Sequence, residues 1–133
     1  MTSSELLKEA EKARENAYAP YSHYKVGACL LSKSGKIYYG CNIENSAFGP
    51  SVCAERCAIF KAVSENCKDF EAIAIVGGEE NCSYEELKPA YPCGVCRQVM
   101  SEFCQKDFKI YCGTSEKPEI YTLEELLPKS FAL

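Results

Sequence analysis

The chain has a single histidine, His23, no two adjacent basic residues, and no apolar run approaching the ~20 residues of a bilayer-crossing helix. Each shortage narrows the field. A helical membrane span is not expected. Lys and Arg, 15 in all, are dispersed among 19 Asp and Glu, and the net charge is −4. Such a surface repels a phosphate backbone, so nucleic acid is not an expected partner. Residues Met1 to Ala10 lack a basic flank followed by an apolar stretch. No secretory leader is expected there, and the expected setting is cytoplasmic, where thiols stay reduced. Linkers, internal repeats and low-complexity segments are also missing, so one domain over residues 1–133 is expected. His23, inside Tyr-Ser-His-Tyr, reads as a structural or hydrogen-bonding residue and not as a metal ligand.

Cysteine, by contrast, is abundant, with ten copies. In a reducing compartment these are better read as metal ligands and small buried residues than as a disulfide framework. Cys29, Cys41, Cys57, Cys67, Cys82, Cys104 and Cys112 stand singly, mostly in apolar surroundings, and are expected to pack. Cys53, Cys93 and Cys96 have more informative neighbours.

Apolar Leu6, Leu7, Ala10, Ala13 and Ala17 at helical spacing predict a helix over 4–18, closed by Pro20. Residues 26–31 and 36–43 read as strands joined at Ser34-Gly35. A helix follows over 53–65, then a short apolar strand over 70–76 that Gly77-Gly78 should end. One helical turn fits 84–87, and a third helix fits 93–105 with Val95, Val99, Met100 and Phe103 facing inward. Strands at 108–112 and 119–121 precede a last turn at 123–127, capped by Thr122 and stopped by Pro128. Strands alternating with helices imply an α/β fold with its sheet covered on both faces, and the opening hairpin makes the sheet mixed.

Both informative motifs fall at helix starts: Cys53-Ala54-Glu55-Arg56 and Pro92-Cys93-Gly94-Val95-Cys96. Cysteines three apart on one helical turn point the same way, so Cys93 and Cys96 can hold one cation between them. A helix N-terminus favours the thiolate that a metal needs. Cys53 supplies a third ligand, and zinc bound by three protein ligands keeps its fourth position for water, the mark of a catalytic site. Glu55 sits two residues past Cys53 and, at the frayed first turn, can lean over that open position to move protons. A Cys or His ligand, a Glu two residues on, and a later Pro-Cys-x-x-Cys form the signature of zinc deaminases. Three thiolates leave a divalent site at a net charge of about −1, which Arg56 can offset by donating to the sulfurs. Arg97 and Gln98 can support the same site, while Tyr18, Tyr21 and Tyr91 are assigned to packing or interfaces.

Over nearly its whole length the chain resembles the small homotetrameric cytidine deaminases, whose zinc is held by three cysteines. The resemblance rests on Tyr21-Ser22-His23-Tyr24 with Val26-Gly27-Ala28, and on Gly40-Cys41-Asn42-Ile43-Glu44-Asn45. It continues through both cysteine motifs to Arg97-Gln98, then Leu127-Pro128 and Phe131. It implies a three-layer α/β/α sandwich with a mixed sheet of about five strands. It also implies one Zn2+ per chain, a nucleoside substrate, and sites completed by neighbouring subunits. Asn42 and Glu44 would then bind ribose hydroxyls, the backbone at Ala54 and the ring of Tyr24 would hold the pyrimidine, and Phe131 would enter a neighbour's site. Glu55 would be the catalytic acid–base. Tyr24 stands where the family more often has Phe, and Phe48 where it often has Tyr. The segment between Gly78 and Pro92 is a few residues longer than in most relatives. These departures touch the rim and subunit contacts and leave the zinc chemistry alone.

Other readings stay open at this stage. Cys93 and Cys96 alone fit a dithiol redox pair, which leaves Cys53 and Glu55 unexplained. A structural zinc site, or a zinc-stabilised binding module without catalysis, would want a fourth ligand. Within deaminases, a nucleoside antibiotic of the blasticidin type or a polynucleotide base is an alternative substrate, against which Asn42, Glu44 and the acidic balance argue.

Overall fold

The computed structural model describes residues Met1–Leu133. Helix α1 (Ser3–Arg14) opens with a reciprocal cap: Thr2 Oγ accepts from Glu5 N at 3.1 Å, and Thr2 N donates to the Glu5 carboxylate at 2.9 Å. It stops short of the predicted 18 because the chain is drawn sideways, with Tyr18 N donating to Asn42 O at 3.0 Å. Strands β1 (Tyr24–Ser32) and β2 (Ile37–Cys41) form the expected antiparallel hairpin. Helix α2 (Ala54–Ser64) leads to β3 (Phe70–Glu79), and a single 3-10 turn at Tyr84–Glu86 precedes the two-residue strand β4 (Lys88–Pro89). Helix α3 (Gly94–Phe103), strands β5 (Lys109–Gly113) and β6 (Pro118–Thr122), and the short α4 (Leu123–Leu126) complete the chain. Thr122 caps α4 as predicted, accepting from Glu125 N at 3.2 Å.

The sheet has six strands, one more than the resemblance implied: β2-β1-β3-β5-β6 in order, with β4 paired to the end of β3. Only β3 and β5 run parallel, so the sheet is mixed. Helix α1 covers one face, where Leu6, Leu7 and Ala10 pack on Cys29, Leu31, Ala74 and Val76. Helices α2 and α3 cover the other, where Ala58, Ile59, Cys96 and Met100 pack on Ala28, Leu30, Ile73, Ile75 and Ile110. This is the three-layer α/β/α arrangement, and alternation along β1 and β3 explains it, since successive residues face opposite layers.

Two sequence expectations are corrected. Gly77-Gly78 does not end β3; the strand runs on to Glu79, with Gly77 paired to Val26 and Gly78 to Lys25. Glycine suits the close packing there: a Cβ on Gly77 would lie 2.9 Å from Tyr24 Cε1, and one on Gly78 2.8 Å from Cys82 Sγ, so those side chains would have to shift. Val95 is 58% exposed and not inward-facing. The inner stripe of α3 is Cys96, Val99, Met100 and Phe103, so the motif cysteine itself begins the core-facing ridge.

Gly40 sets how closely α2 lies on the sheet. A Cβ there would be 2.3 Å from the Ala54 carbonyl oxygen and 2.5 Å from Ala58 N, both main-chain atoms that cannot swing away. Gly40→Ala is therefore expected to destabilise by about 3 kcal/mol or more and to lower Tm by about 10 °C. At Gly94 an added Cβ meets nothing within 4 Å, so Gly94→Ala should shift Tm by only about 2 °C. Thermal denaturation of the two variants decides the point; equal Tm values would contradict this packing.

Candidate active site

The N-termini of α2 and α3 converge on one face of the sheet, and each begins with a cysteine at its cap. Cys53 (φ −76°, ψ 157°) and Cys93 (φ −68°, ψ 168°) are extended, and neither side chain is spent on a capping hydrogen bond. Cys96 lies one turn into α3 and is fully buried. Cap and third helical position face the same side, the geometry that also lets capping boxes close. The Sγ atoms of Cys53 and Cys93 are 3.7 Å apart, those of Cys93 and Cys96 3.5 Å, and all three lie within 4.8 Å of one another. Sulfurs bonded at ~2.3 Å to one tetrahedral zinc ion are ~3.8 Å apart. The donor set thus fits zinc in both chemistry and spacing.

Arg56 donates through Nη2 to Cys53 Sγ at 3.2 Å, as the charge argument anticipated. Its buried Nε has no hydrogen-bond partner, so the guanidinium is held by the charge of the cluster and not by a saturated network. Hydrogen bonding from the Cys96 thiol, then from Arg56 and Cys93, holds the Cys53 thiol down to about 5. Hydrogen bonding to Cys53, followed by burial, pushes Cys96 up. One thiolate therefore forms readily, on the sulfur that faces the arginine. Unlike Cys53, the packing cysteines Cys29, Cys104 and Cys112 are pushed up to about 12 by burial, which keeps them as neutral, inert thiols.

Beside the cluster is a cavity of about 350 Å³, within the usual range for small-molecule sites. It is lined by Cys53, Cys93, Ala54 and Glu55, by Val26 and Ile75 from the sheet, and by Asn42 and Glu44. Glu55 is only 4% exposed, and burial pushes its carboxyl up to about 7. A carboxyl titrating near neutrality, aimed into a cavity beside a metal-ligand cluster, can both accept and release a proton.

Asn42 and Glu44, which line the same cavity, are organised for polar recognition. Asn42 Oδ1 accepts from Val26 N at 2.8 Å and Nδ2 donates to Tyr24 O at 2.8 Å, which fixes the amide and leaves one N–H and one lone pair free. Glu44 accepts from the Tyr21 and Ser22 amides at 3.0 and 3.1 Å and from the Ser22 hydroxyl. These bonds, led by the Ser22 hydroxyl, hold the Glu44 carboxyl below its usual range, so it is a fixed anion.

The structure thus brings together Cys53, Cys93, Cys96, Glu55, Arg56, Ala54, Asn42 and Glu44. Tyr24 is on the same sheet face but packs over Gly77 and does not line the cavity. Phe131 is 68% exposed on the tail beyond α4, beside Leu127 and Lys129, away from the site of its own chain. Phe48, at φ 63° and 70% exposed, meets Tyr21 edge-on at 6.0 Å. Sequence reasoning missed Val26, Ile75 and Tyr91. The two sheet residues are set by long-range strand pairing and carry no local signal. Tyr91, assigned to packing or an interface, lines the cavity two residues before Cys93, and that adjacency was the available clue.

A sequence model for the cytidine and deoxycytidylate deaminase zinc-binding region matches residues 1–112. A cytidine deaminase of Sporosarcina psychrophila is 47% identical over 134 aligned positions, covering 99% of this chain and 93% of that protein. One of Halalkalibacterium halodurans is 48% identical over 127 positions, covering 95% and 91%. The crystal structure of a cytidine deaminase from Burkholderia pseudomallei superimposes with a TM-score of 0.87 at 40% identity, covering 98% of this chain and all of that one.

Proposed function

The chain belongs to the cytidine and deoxycytidylate deaminase zinc-binding family, and from that premise we infer that it hydrolyses cytidine and deoxycytidine to uridine and deoxyuridine, releasing ammonia. The observation that carries this reading is one cavity that joins three cysteines at zinc-ligand spacing to a buried carboxyl.

Cys53, Cys93 and Cys96 are the residues assigned to hold the zinc ion, with Arg56 offsetting their charge. The metal, when bound, supplies an acidified water as nucleophile at neutral pH. Glu55 takes the proton of that water and delivers it to the ring nitrogen beside the amine-bearing carbon, making the carbon electrophilic. Its second transfer goes to the departing amine, so one water is consumed and one ammonia released. Burial keeps Glu55 near neutrality between these transfers, where a group that must do both is most effective. Asn42 and Glu44 are assigned to the ribose hydroxyls and the Ala54 backbone to the pyrimidine. Phe131 is assigned to ring packing in a neighbouring subunit of a homotetramer, whereas the Tyr24 ring packs over Gly77 outside the cavity and its carbonyl orients the Asn42 amide. The exposed position of Phe131 on the tail supports its assignment. No helix is long and apolar enough to cross a membrane, and a single cytoplasmic domain acting in pyrimidine salvage fits the charge and composition.

The test is ultraviolet absorbance of cytidine and deoxycytidine with zinc-loaded protein, repeated after chelation. Turnover that stops on chelation and returns with zinc is expected. A zinc-loaded protein inert towards both nucleosides would sink the reading.

A further inference from the structure

The segment Ala90-Tyr91-Pro92-Cys93 connects the sheet to the zinc-site cysteine, and it is fixed from several sides. Pro89 pairs with Val76 at the edge of β3, so the chain leaves the sheet just before this segment. The Pro92 side chain is fully buried, and its carbonyl accepts from Arg97 Nε at 2.7 Å. Arg97 also donates to Leu126 O at 2.8 Å, tying the turn to α4. Tyr91 is half-exposed, yet its ring is not free. Its hydroxyl donates to Glu119 Oε1 at 2.8 Å, and Tyr121 donates to the same oxygen at 2.7 Å. The two rings meet edge-on, with centroids 6.0 Å apart and planes at 75°. Glu119 and Tyr121 belong to β6 and lie outside the cavity, which Tyr91 lines. A tyrosine that would otherwise sweep through solvent is held as a wall by the neighbouring strand.

Its location decides what it can sense. Tyr91 lines the same cavity as Cys53, Cys93 and Glu55 and precedes Cys93 by two residues, which puts it at the cluster's end. On the deaminase reading, on which this inference rests, the amine-bearing carbon must come to that end for Glu55 to reach the leaving group. A substituent on the exocyclic nitrogen then projects towards the wall next to Cys93. We infer that Tyr91 is a specificity-determining residue that excludes substituents on the exocyclic amine, and that Glu119 and Tyr121 hold it in position. Glycine, alanine or serine at 91 would leave that end open, and a tyrosine without its anchor would yield by rotation.

The test compares kcat/KM for N4-methylcytidine, which hydrolysis converts to uridine and methylamine, with that for cytidine. Tyr91→Ala should raise the ratio of the two by at least about tenfold, the lower range of discrimination by one methylene-sized group in a pocket. Tyr91→Phe and Glu119→Ala both remove the anchoring hydrogen bond, and each should raise the ratio by about two- to tenfold. The double variant should gain no more than either single one, because the same bond is lost. A ratio unchanged in Tyr91→Ala overturns the inference and leaves the deaminase reading standing. If that variant loses its zinc, Glu119→Ala decides, since Glu119 is neither in the cysteine cluster nor in the cavity lining: an unchanged ratio there overturns the anchor and the wall together. Failure of the zinc-loaded native protein to turn over cytidine overturns the deaminase reading and this inference with it.

Discussion

Glu55→Gln is expected to bind zinc at full stoichiometry and yet deaminate cytidine at least about 10² to 10⁴ times more slowly. Glutamine fills the same volume in the first turn of α2, so the Cys53 cap and the packing of Ala54 and Ala58 are undisturbed. What disappears is a titrating group in the cavity, and every proton transfer assigned to this site passes through it. The substitution also has a signature in the zinc-free protein. The Glu55 carboxyl is raised from 4.5 to about 7 by burial, so its charged form is less favourable in the fold than in the unfolded chain. A raised carboxyl destabilises the fold above its folded value and not below its unfolded one. The penalty is therefore fully present at pH 8, shrinks as pH falls from 7 towards 4.5, and amounts to roughly 3 kcal/mol at most. Glutamine removes it. Zinc-free Glu55→Gln protein should accordingly melt higher than zinc-free native protein at pH 8 and at nearly the same temperature near pH 4.5. Calorimetry at the two pH values, alongside metal analysis and a rate assay, checks all three statements. A variant with native turnover would remove Glu55 from the mechanism.

Cys96→Ala should abolish both zinc retention and turnover. Cys96 is fully buried, one turn into α3, on the stripe it shares with Met100. Replacing it leaves Cys53 and Cys93, whose sulfurs are 3.7 Å apart, as a two-ligand remnant. Loss of a partner that merely orients a ligand lowers metal affinity by about 10- to 100-fold, and loss of a ligand exceeds that. Chelator competition measures it directly. The matched control is Cys112→Ala, at a thiol that is equally buried but lies outside the cluster. It should lower stability by about 1 to 3 kcal/mol through lost packing and keep its zinc. If both variants bind zinc equally well, Cys96 is a packing residue and the cluster is not the metal site.

The arrangement of the cysteine cluster and Glu55 was legible because it is local. Cys53 with Glu55, and Cys93 with Cys96, are each contained in one helical turn, and a turn places side chains from spacing alone. The hairpin, the caps at Thr122 and the helical stripes were readable for the same reason. What sequence could not give depends on neighbours far along the chain. Gly77-Gly78 signals a strand end by composition, but the close approach of Tyr24 and Cys82 suits glycine within a continuing strand. Strand β4 is two residues long and contains a proline, so only its pairing with Val76 and Gly77 makes it a strand. Val95 has the hydrophobicity of a core residue and the wrong angle around α3. Tyr91 looked like surface packing because its anchor, Glu119, is 28 residues away.

Asn42 is joined to the fold at every polar group of its backbone and at both ends of its amide. Its N–H donates to Val26 O at 3.2 Å and its carbonyl accepts from Tyr18 N at 3.0 Å, while the side chain bonds Val26 N and Tyr24 O. The residue assigned to the sugar is thus also a rung of the sheet. Any replacement without the same amide would orphan two main-chain groups of β1 as well as changing the pocket, at about 1 to 3 kcal/mol each where they are buried. Evolution of the substrate range therefore has unequal freedom along this cavity. The Asn42 position is tied to foldability and resists drift, whereas Tyr91 is a side chain leaning on one half-buried carboxylate and can be exchanged at less structural expense. New activities in such a scaffold should arise first from changes on the base and only later, if at all, from changes on the sugar.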